Sequence, residues 1–177
     1  TAESAGVKLT ITSMLVSIVT GALRRFPNFN ASIDAEKGEI LFKDYYNVGI
    51  AVDTDKGLMV PVIRDADHLS MTEMAAALTE VSQKARSGQI GLDDLQGGTF
   101  TISNLGGIGG SFFTPIVNSP DLAILRVGRG APDPEGRLQM PLSLSYDHRL
   151  IDGADGARFL RWIVEAIEEP IYFYMEN

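Results

Sequence analysis

Leu142-Ser143-Leu144-Ser145-Tyr146-Asp147-His148-Arg149-Leu150-Ile151-Asp152-Gly153 passes from a short apolar run with β character into a charged loop and then into a helix. Between the apolar strand and the apolar helix, Asp147, His148, Arg149 and Asp152 fall within six residues. Such a group is expensive to bury unless its members are paired. It reads equally as a surface turn with a local ion pair or as a functional loop around His148. Downstream, the pattern predicts a helix from near Gly153 that buries Ala157, Leu160, Ile163, Val164 and Ile167, with Trp162 beside them, and that Pro170 stops. After it, Ile171-Tyr172-Phe173-Tyr174-Met175 is an apolar tail that would be an aggregation liability if left in water.

Working back from that stretch, residues 100–105 and 122–128 are two more short runs with β character. The first belongs to Gly97-Gly98-Thr99-Phe100-Thr101-Ile102-Ser103-Asn104-Leu105-Gly106-Gly107-Ile108-Gly109-Gly110-Ser111, a β run that ends in a glycine-rich loop. The loop either lets the backbone approach a ligand or simply reverses the chain. It matches neither the phosphate loop nor the dinucleotide fingerprint, and Ser103 is not in a nucleophile elbow. Ser70-Met71-Thr72-Glu73 is a capping box opening a helix that buries Met74, Ala75, Leu78, Val81 and Ala85, closed by Gly88. Leu41–Lys43 and Tyr46–Asp53 read as strands. Asp55-Lys56-Gly57 is a turn, and Leu58–Ile63 is a returning strand in which Pro61 marks an edge or a bulge. Ile11, Met14, Leu15, Ile18, Val19, Ala22 and Leu23 form one helical stripe ended by Pro27. This first helix is expected to lack a cap of its own, as though an N-terminal part were missing. His68 sits in a polar loop and reads as a solvated residue. The element order predicts one α+β domain around a mixed sheet.

Composition narrows the chemistry. The 177 residues are 45% hydrophobic, enough for a real core. Cysteine is absent, which excludes a disulfide framework, a thiolate metal site and a cysteine nucleophile. No histidine–carboxylate cluster has metal-ligand spacing. A formal charge of −8 repels a phosphate backbone, so no nucleic-acid partner is expected. Leu9 to Leu23 is too short and too polar to span a bilayer, and no membrane partner is expected.

Asp147-His148-Arg149-Leu150-Ile151-Asp152-Gly153 resembles the D-H-R-x-x-D-G signature of the dihydrolipoamide acyltransferases, the core components of 2-oxo acid dehydrogenase complexes. Asn47–Thr54, Gly57–Val62, Gly97–Gly106 and Thr114–Asn118 resemble the same family, and the likeness runs from about Gly6 to Pro170. It implies a chloramphenicol acetyltransferase-like two-layer fold, a mixed sheet covered by helices. It also implies a homotrimer with each active site at a subunit boundary, assembled into a larger core, with the apolar tail at contacts between trimers. Full family members carry lipoyl and peripheral-subunit-binding domains that recruit the 2-oxo acid dehydrogenase and dihydrolipoamide dehydrogenase components. The expectation is therefore of a catalytic domain, residues 1–177, without those domains and without its N-terminal segment. Bacterial cytoplasm or mitochondrial matrix is the implied location.

The implied reaction moves an acyl group from a dihydrolipoyl thioester to coenzyme A. A thiol with a pKa of about 8.5 is mostly protonated at neutral pH and needs a base. Imidazole is suited to that role, and the resemblance assigns it to His148. It assigns Ser103 as the hydrogen-bond donor to the tetrahedral oxyanion and not as a nucleophile. Asp152 is implied to orient the loop by an ion pair. Asp53, Ser103, Asn104 and Gly128 fall where relatives touch coenzyme A. Gly106–Gly110 with Phe113–Asn118 resembles acetyl- or branched-chain-transferring members more than succinyl-transferring ones, and acetyl is the expected group, with branched-chain acyl or succinyl as alternatives. Two competitors are a structural core without turnover, against which the presence of His148 and Ser103 argues, and an antibiotic acetyltransferase, which the match through Phe100–Asn118 disfavours.

Overall fold

The computed structural model describes residues 8–104, 106, 107, 109 and 114–171. The tail beyond Ile171 and part of the glycine-rich segment, including Leu105, Ile108 and 110–113, lie outside them.

The described chain forms a mixed six-stranded sheet with helices packed on one face. Helix α1 spans Ile11–Arg25, the hairpin β1 Ala31–Asp34 and β2 Glu39–Phe42 follows, and β3 spans Val48–Thr54. Next come β4 Gly57–Met59, β5 Val62–Ile63, helix α2 Met71–Ser87, β6 Phe100–Asn104 and β7 Ala123–Val127. A small hairpin, β8 Ala131–Pro132 with β9 Leu138–Gln139, precedes β10 Leu142–Tyr146 and helix α3 Gly153–Glu168. The main sheet has the order β10-β7-β6-β3-β4, with β5 also on β3. Strands β3, β6 and β7 run parallel, and β10, β4 and β5 run antiparallel to their neighbours.

Pairing in the sheet follows from the turns. Gly57, at φ +102°, closes the turn after β3. The returning segment is not one strand: β4 and β5 are separated at Val60-Pro61, because Pro61 has no N–H to give the ladder, although its carbonyl still accepts from Ile50 N at 2.8 Å. Asn47 ties the starts of β3 and β6 together. Its Nδ2 donates to Gly97 O at 2.8 Å, and its Oδ1 accepts from the backbone N–H of Asp65 at 2.9 Å.

Both expected features of α2 are present: the Ser70–Glu73 capping box and Gly88 at φ 70°. α1 departs from expectation. It has its own capping box, Thr10 with Ser13, in which serine at the third helical position takes the place usually held by Glu or Gln. Ile11 and Met14 are exposed at the start of its stripe, and Ser13, Val16 and Thr20 are buried instead. In α3 the buried line is Gly156, Phe159, Ile163 and Ala166, so Ala157 faces solvent and Leu160 and Ile167 are half-buried. The register of α3 is set by aromatics. Phe159 stacks on Phe29 with centroids 4.0 Å apart, and Phe26 and Phe100 approach it, each with centroids 5.7 Å away.

Candidate functional site

The parallel strands end together. Ala51, Ser103 and Arg126 are in register on β3, β6 and β7, so Asp53, Asn104 and Gly128 lie at or just past the carboxyl ends. Asn104 organises this end. Its Nδ2 donates to Thr12 Oγ1 at 2.9 Å, and its Oδ1 accepts from Gly106 N at 3.0 Å. A Cβ on Gly106 would stand 3.2 Å from both Asn104 Oδ1 and Gly128 O, so this tight approach favours glycine. Beside it opens a cleft of about 580 Å³ lined in part by Thr10, Thr12, Asp53, Ser82, Arg86 and Asn104. The carboxyl ends of parallel strands are the usual place for a ligand in such sheets.

Sequence reasoning missed Thr12, Ser82 and Arg86. Thr12 meets Asn104 across 92 positions of chain, which no local pattern reveals. Ser82 and Arg86 had a weak signal, since they are polar residues four apart on the outer side of α2.

Ser103 differs from Asn104 in direction. Successive strand residues point to opposite faces. Asn104 joins Thr12 on the helix side, while Ser103 shares the other face with Thr101 and is 5% exposed.

His148 lies elsewhere. Tyr146 on β10 pairs with Ala123 on β7, whereas Ser103 is level with Arg126 and Ser143. Three residues along the strands and two strands across put the Ser103 and Tyr146 backbones about 14 Å apart, with His148 two residues further on. The described chain thus gathers Ser103, Asn104, Asp53 and Gly128 at one end of the sheet, and His148 and Asp152 at the other.

The His148 loop is fixed on both sides. Asp147 N donates to Leu122 O at 2.8 Å, and Ile151 N donates to Asp147 O at 3.1 Å. The Arg149 guanidinium grips the Asp147 carboxylate, with Nε 3.0 Å from both oxygens. These bonds hold the Asp147 carboxyl below its ordinary pKa, partly opposed by desolvation. This is the ion pair of the loop. Asp152, expected to provide one, caps α3, where its Oδ1 accepts from Asp155 N at 2.8 Å. His148 itself is exposed, its ring centroid 5.8 Å from that of Tyr146. Tyr146 is pinned against Gly156, where a Cβ would fall 2.6 Å from Tyr146 Cε1.

The family profile described as 2-oxoacid dehydrogenases acyltransferase (catalytic domain) matches residues 1–175. The chain belongs to this family. Over 164 residues it is 46% identical to the dihydrolipoyllysine-residue acetyltransferase component of the pyruvate dehydrogenase complex of Cupriavidus necator, covering 89% of this chain and 29% of that protein. The acyltransferase domain therefore spans less than a third of that relative's length.

Among solved structures, the domain resembles Azotobacter vinelandii dihydrolipoamide acetyltransferase with TM-score 0.91 and 46% identity, covering 95% of this chain and 72% of that one. That structure belongs to a study of the role of a serine, a histidine and an asparagine in catalysis. The cubic core of the pyruvate dehydrogenase multienzyme complex matches with TM-score 0.89 and 43% identity, again covering 95% and 72%. Chloramphenicol acetyltransferase, at 18% identity and TM-score 0.63 over 92% of this chain and 78% of its own, shares the fold. The chloramphenicol acetyltransferase-like two-layer architecture expected from the resemblance is thus the one observed.

Proposed function

We propose that this acyltransferase domain transfers an acetyl group from a dihydrolipoyl thioester to coenzyme A, within a trimer that builds the core of a 2-oxo acid dehydrogenase complex. The observation that carries this reading is the gathering of Ser103, Asn104, Asp53 and Gly128 at one strand end beside an open cleft. Its support in kind comes from the acetyltransferase relatives. In the Azotobacter study the asparagine stands four residues after the histidine, the offset of Asp152 from His148 here. Coenzyme A lies in the cleft, where Arg86 offers a cation to its phosphates and Thr12 and Asn104 offer polar contacts.

The roles divide by position. His148 takes the proton from the thiol as its sulfur attacks the thioester carbon. Ser103 Oγ donates to the oxyanion that forms, a contribution worth about 3 kcal/mol in comparable sites. His148 returns the proton to the departing dihydrolipoyl sulfur. Asp147, Arg149 and Asp152 hold the loop that carries His148.

The separation of Ser103 from His148 supports a subunit-boundary site, because a hydrogen-bonded pair needs about 3 Å. Strand β2 supports assembly. Ile40, Leu41 and Phe42 are 45–54% exposed on an edge strand, a surface that a second copy would cover. The 2-oxo acid dehydrogenase and dihydrolipoamide dehydrogenase components are the partners that this role implies. A bacterial cytoplasmic or mitochondrial matrix location accords with that role.

A coupled assay of the full-length protein with acetyl-, isobutyryl- and succinyl-dihydrolipoamide tests the reading. Acetyl transfer to coenzyme A at the highest kcat/KM is expected. Preference for another donor overturns the acyl assignment, and a correctly assembled but inert particle favours a purely structural core.

A further inference from the structure

The sheet has two unlike faces. Phe100, Ile102, Leu125 and Val127 point into the helix-covered core and are at most 2% exposed. By strand alternation the opposite face carries Gly49, Ala51, Thr101, Ser103, Ile124, Arg126, Ser143 and Ser145. The space a Cβ would find at Gly49 agrees, since it would lie 3.1 Å from Thr101 Oγ1.

One row crosses four strands on that face. Ala51 pairs with Ser103, Ser103 with Arg126, and Arg126 with Ser143. Arg126 is the only charged member of the row and is 8% exposed, next to Ser103 at 5%. Neighbouring strands are about 4.8 Å apart, and an arginine side chain is longer than that spacing, so its planar N–H fork can lie over the row next to it. A guanidinium presents a planar fork of N–H donors suited to an anionic oxygen. The roles proposed for His148, Ser103 and the cleft residues make no use of it.

We propose that Arg126 is a second charge-stabilising residue for acyl transfer, with its guanidinium directed at the same oxyanion as the Ser103 hydroxyl. The inference rests on the acyl-transfer reading. As the coenzyme A sulfur bonds to the carbonyl carbon, the carbonyl π pair moves onto oxygen. A fixed cation on the adjacent strand is then worth most, because that charge is absent from the ground state. When the carbonyl re-forms, the bond to the dihydrolipoyl sulfur breaks, and that sulfur receives the proton held by His148. Arg126 neither gives nor takes a proton at any point.

The test is steady-state kinetics on the full-length protein with Arg126→Gln, Arg126→Lys, Ser103→Ala and the Ser103→Ala/Arg126→Gln double variant. Melting temperature and particle size are followed in parallel. Arg126→Gln is expected to lower kcat about 10²-fold with the coenzyme A KM within about twofold, and Arg126→Lys to recover much of the loss. The double variant should lose less than the product of the single losses, because both groups act on one oxygen. If Arg126→Gln keeps kcat within about twofold of the unmodified protein while Ser103→Ala is crippled, Arg126 has no such role. The role is equally overturned if Arg126→Gln changes only the KM ranking of acetyl and succinyl donors, or if Arg126→Lys is as slow as Arg126→Gln. A fully active Ser103→Ala variant, or an unmodified protein without transferase activity, removes the acyl-transfer reading itself.

Discussion

The distance between Ser103 and His148 makes a quantitative prediction about mixed assemblies. Register puts the Ser103 and Tyr146 backbones about 14 Å apart, and His148 lies beyond Tyr146. No side-chain rotation closes that gap, so under the proposed function each working site takes Ser103 from one copy and His148 from the next. Consider trimers built from Ser103→Ala chains and His148→Ala chains. Each variant alone has no intact boundary and should run at about 1% of normal turnover or less. In a mixed trimer of either composition, going round the ring, one boundary joins an intact Ser103 to an intact His148. Such trimers should therefore regain about one third of the unmodified activity. Co-expression with two affinity tags, followed by purification on each in turn, isolates the mixed species, and a coupled coenzyme A assay reads them. If doubly purified trimers are no more active than the single variants, the two residues serve one site within one chain, and the register argument fails.

Other outcomes follow from individual contacts. Ser103→Ala should slow transfer about 10²-fold, and mass spectrometry of the unmodified protein with acyl donor should find no acyl-serine; a trapped ester would make Ser103 a nucleophile. Asp152→Ala removes the α3 cap and should cost about 1 kcal/mol, or about 2–4 °C in Tm, while Asp152→Asn should cost little; equal losses in scanning calorimetry would put the stabilisation in an ion pair instead. Burial raises the Asp121 carboxyl above its ordinary 3.8, despite its bond from Thr101 Oγ1 at 2.8 Å. The native state therefore holds that proton longer than the unfolded chain, and stability falls as pH rises through the interval between the two pKa values. Asp121→Asn keeps the acceptor without the charge, so thermal melts should match the unmodified protein near pH 3 and run higher at pH 7; a lower melt at pH 7 contradicts the burial cost.

Features whose signal is local were readable from sequence. Ser70 with Glu73, Gly88 at the end of α2, and Gly57 in the hairpin each act within a few residues, and each appears where the pattern put it. Signals completed by partners far along the chain were not readable. Ala31-Ser32-Ile33-Asp34 has little β character of its own and becomes β1 only by pairing with β2. The Thr10 cap was missed because Ser13 closes the box, and the α3 stripe shifted because Phe159 is held by Phe29 from another part of the chain. The D-H-R-x-x-D-G resemblance pointed to Asp152 but not to its cap contact. Arg126 was hidden inside a run read as apolar, since only register reveals that it stands beside Ser103.

Under the proposed function, strand alternation also separates the approaches of the two substrates. Ser103 and Asn104 are adjacent in sequence, so they must face opposite sides of β6. Asn104 meets Thr12 at the cleft beside α1 and α2, while Ser103 shares the opposite, buried face with Arg126. Under the proposed function, a thiol carried by a molecule lying in the cleft reaches Ser103 only by bending round the carboxyl end of β6. The tight approach at Gly106 lies at that strand end, where a Cβ would crowd both Asn104 and the Gly128 carbonyl. The acyl donor then comes along the other face, the side on which a neighbouring copy must supply His148. On this reading, two substrates arriving from opposite sides need not compete for one opening, and neither half of the site catalyses transfer before the copies assemble.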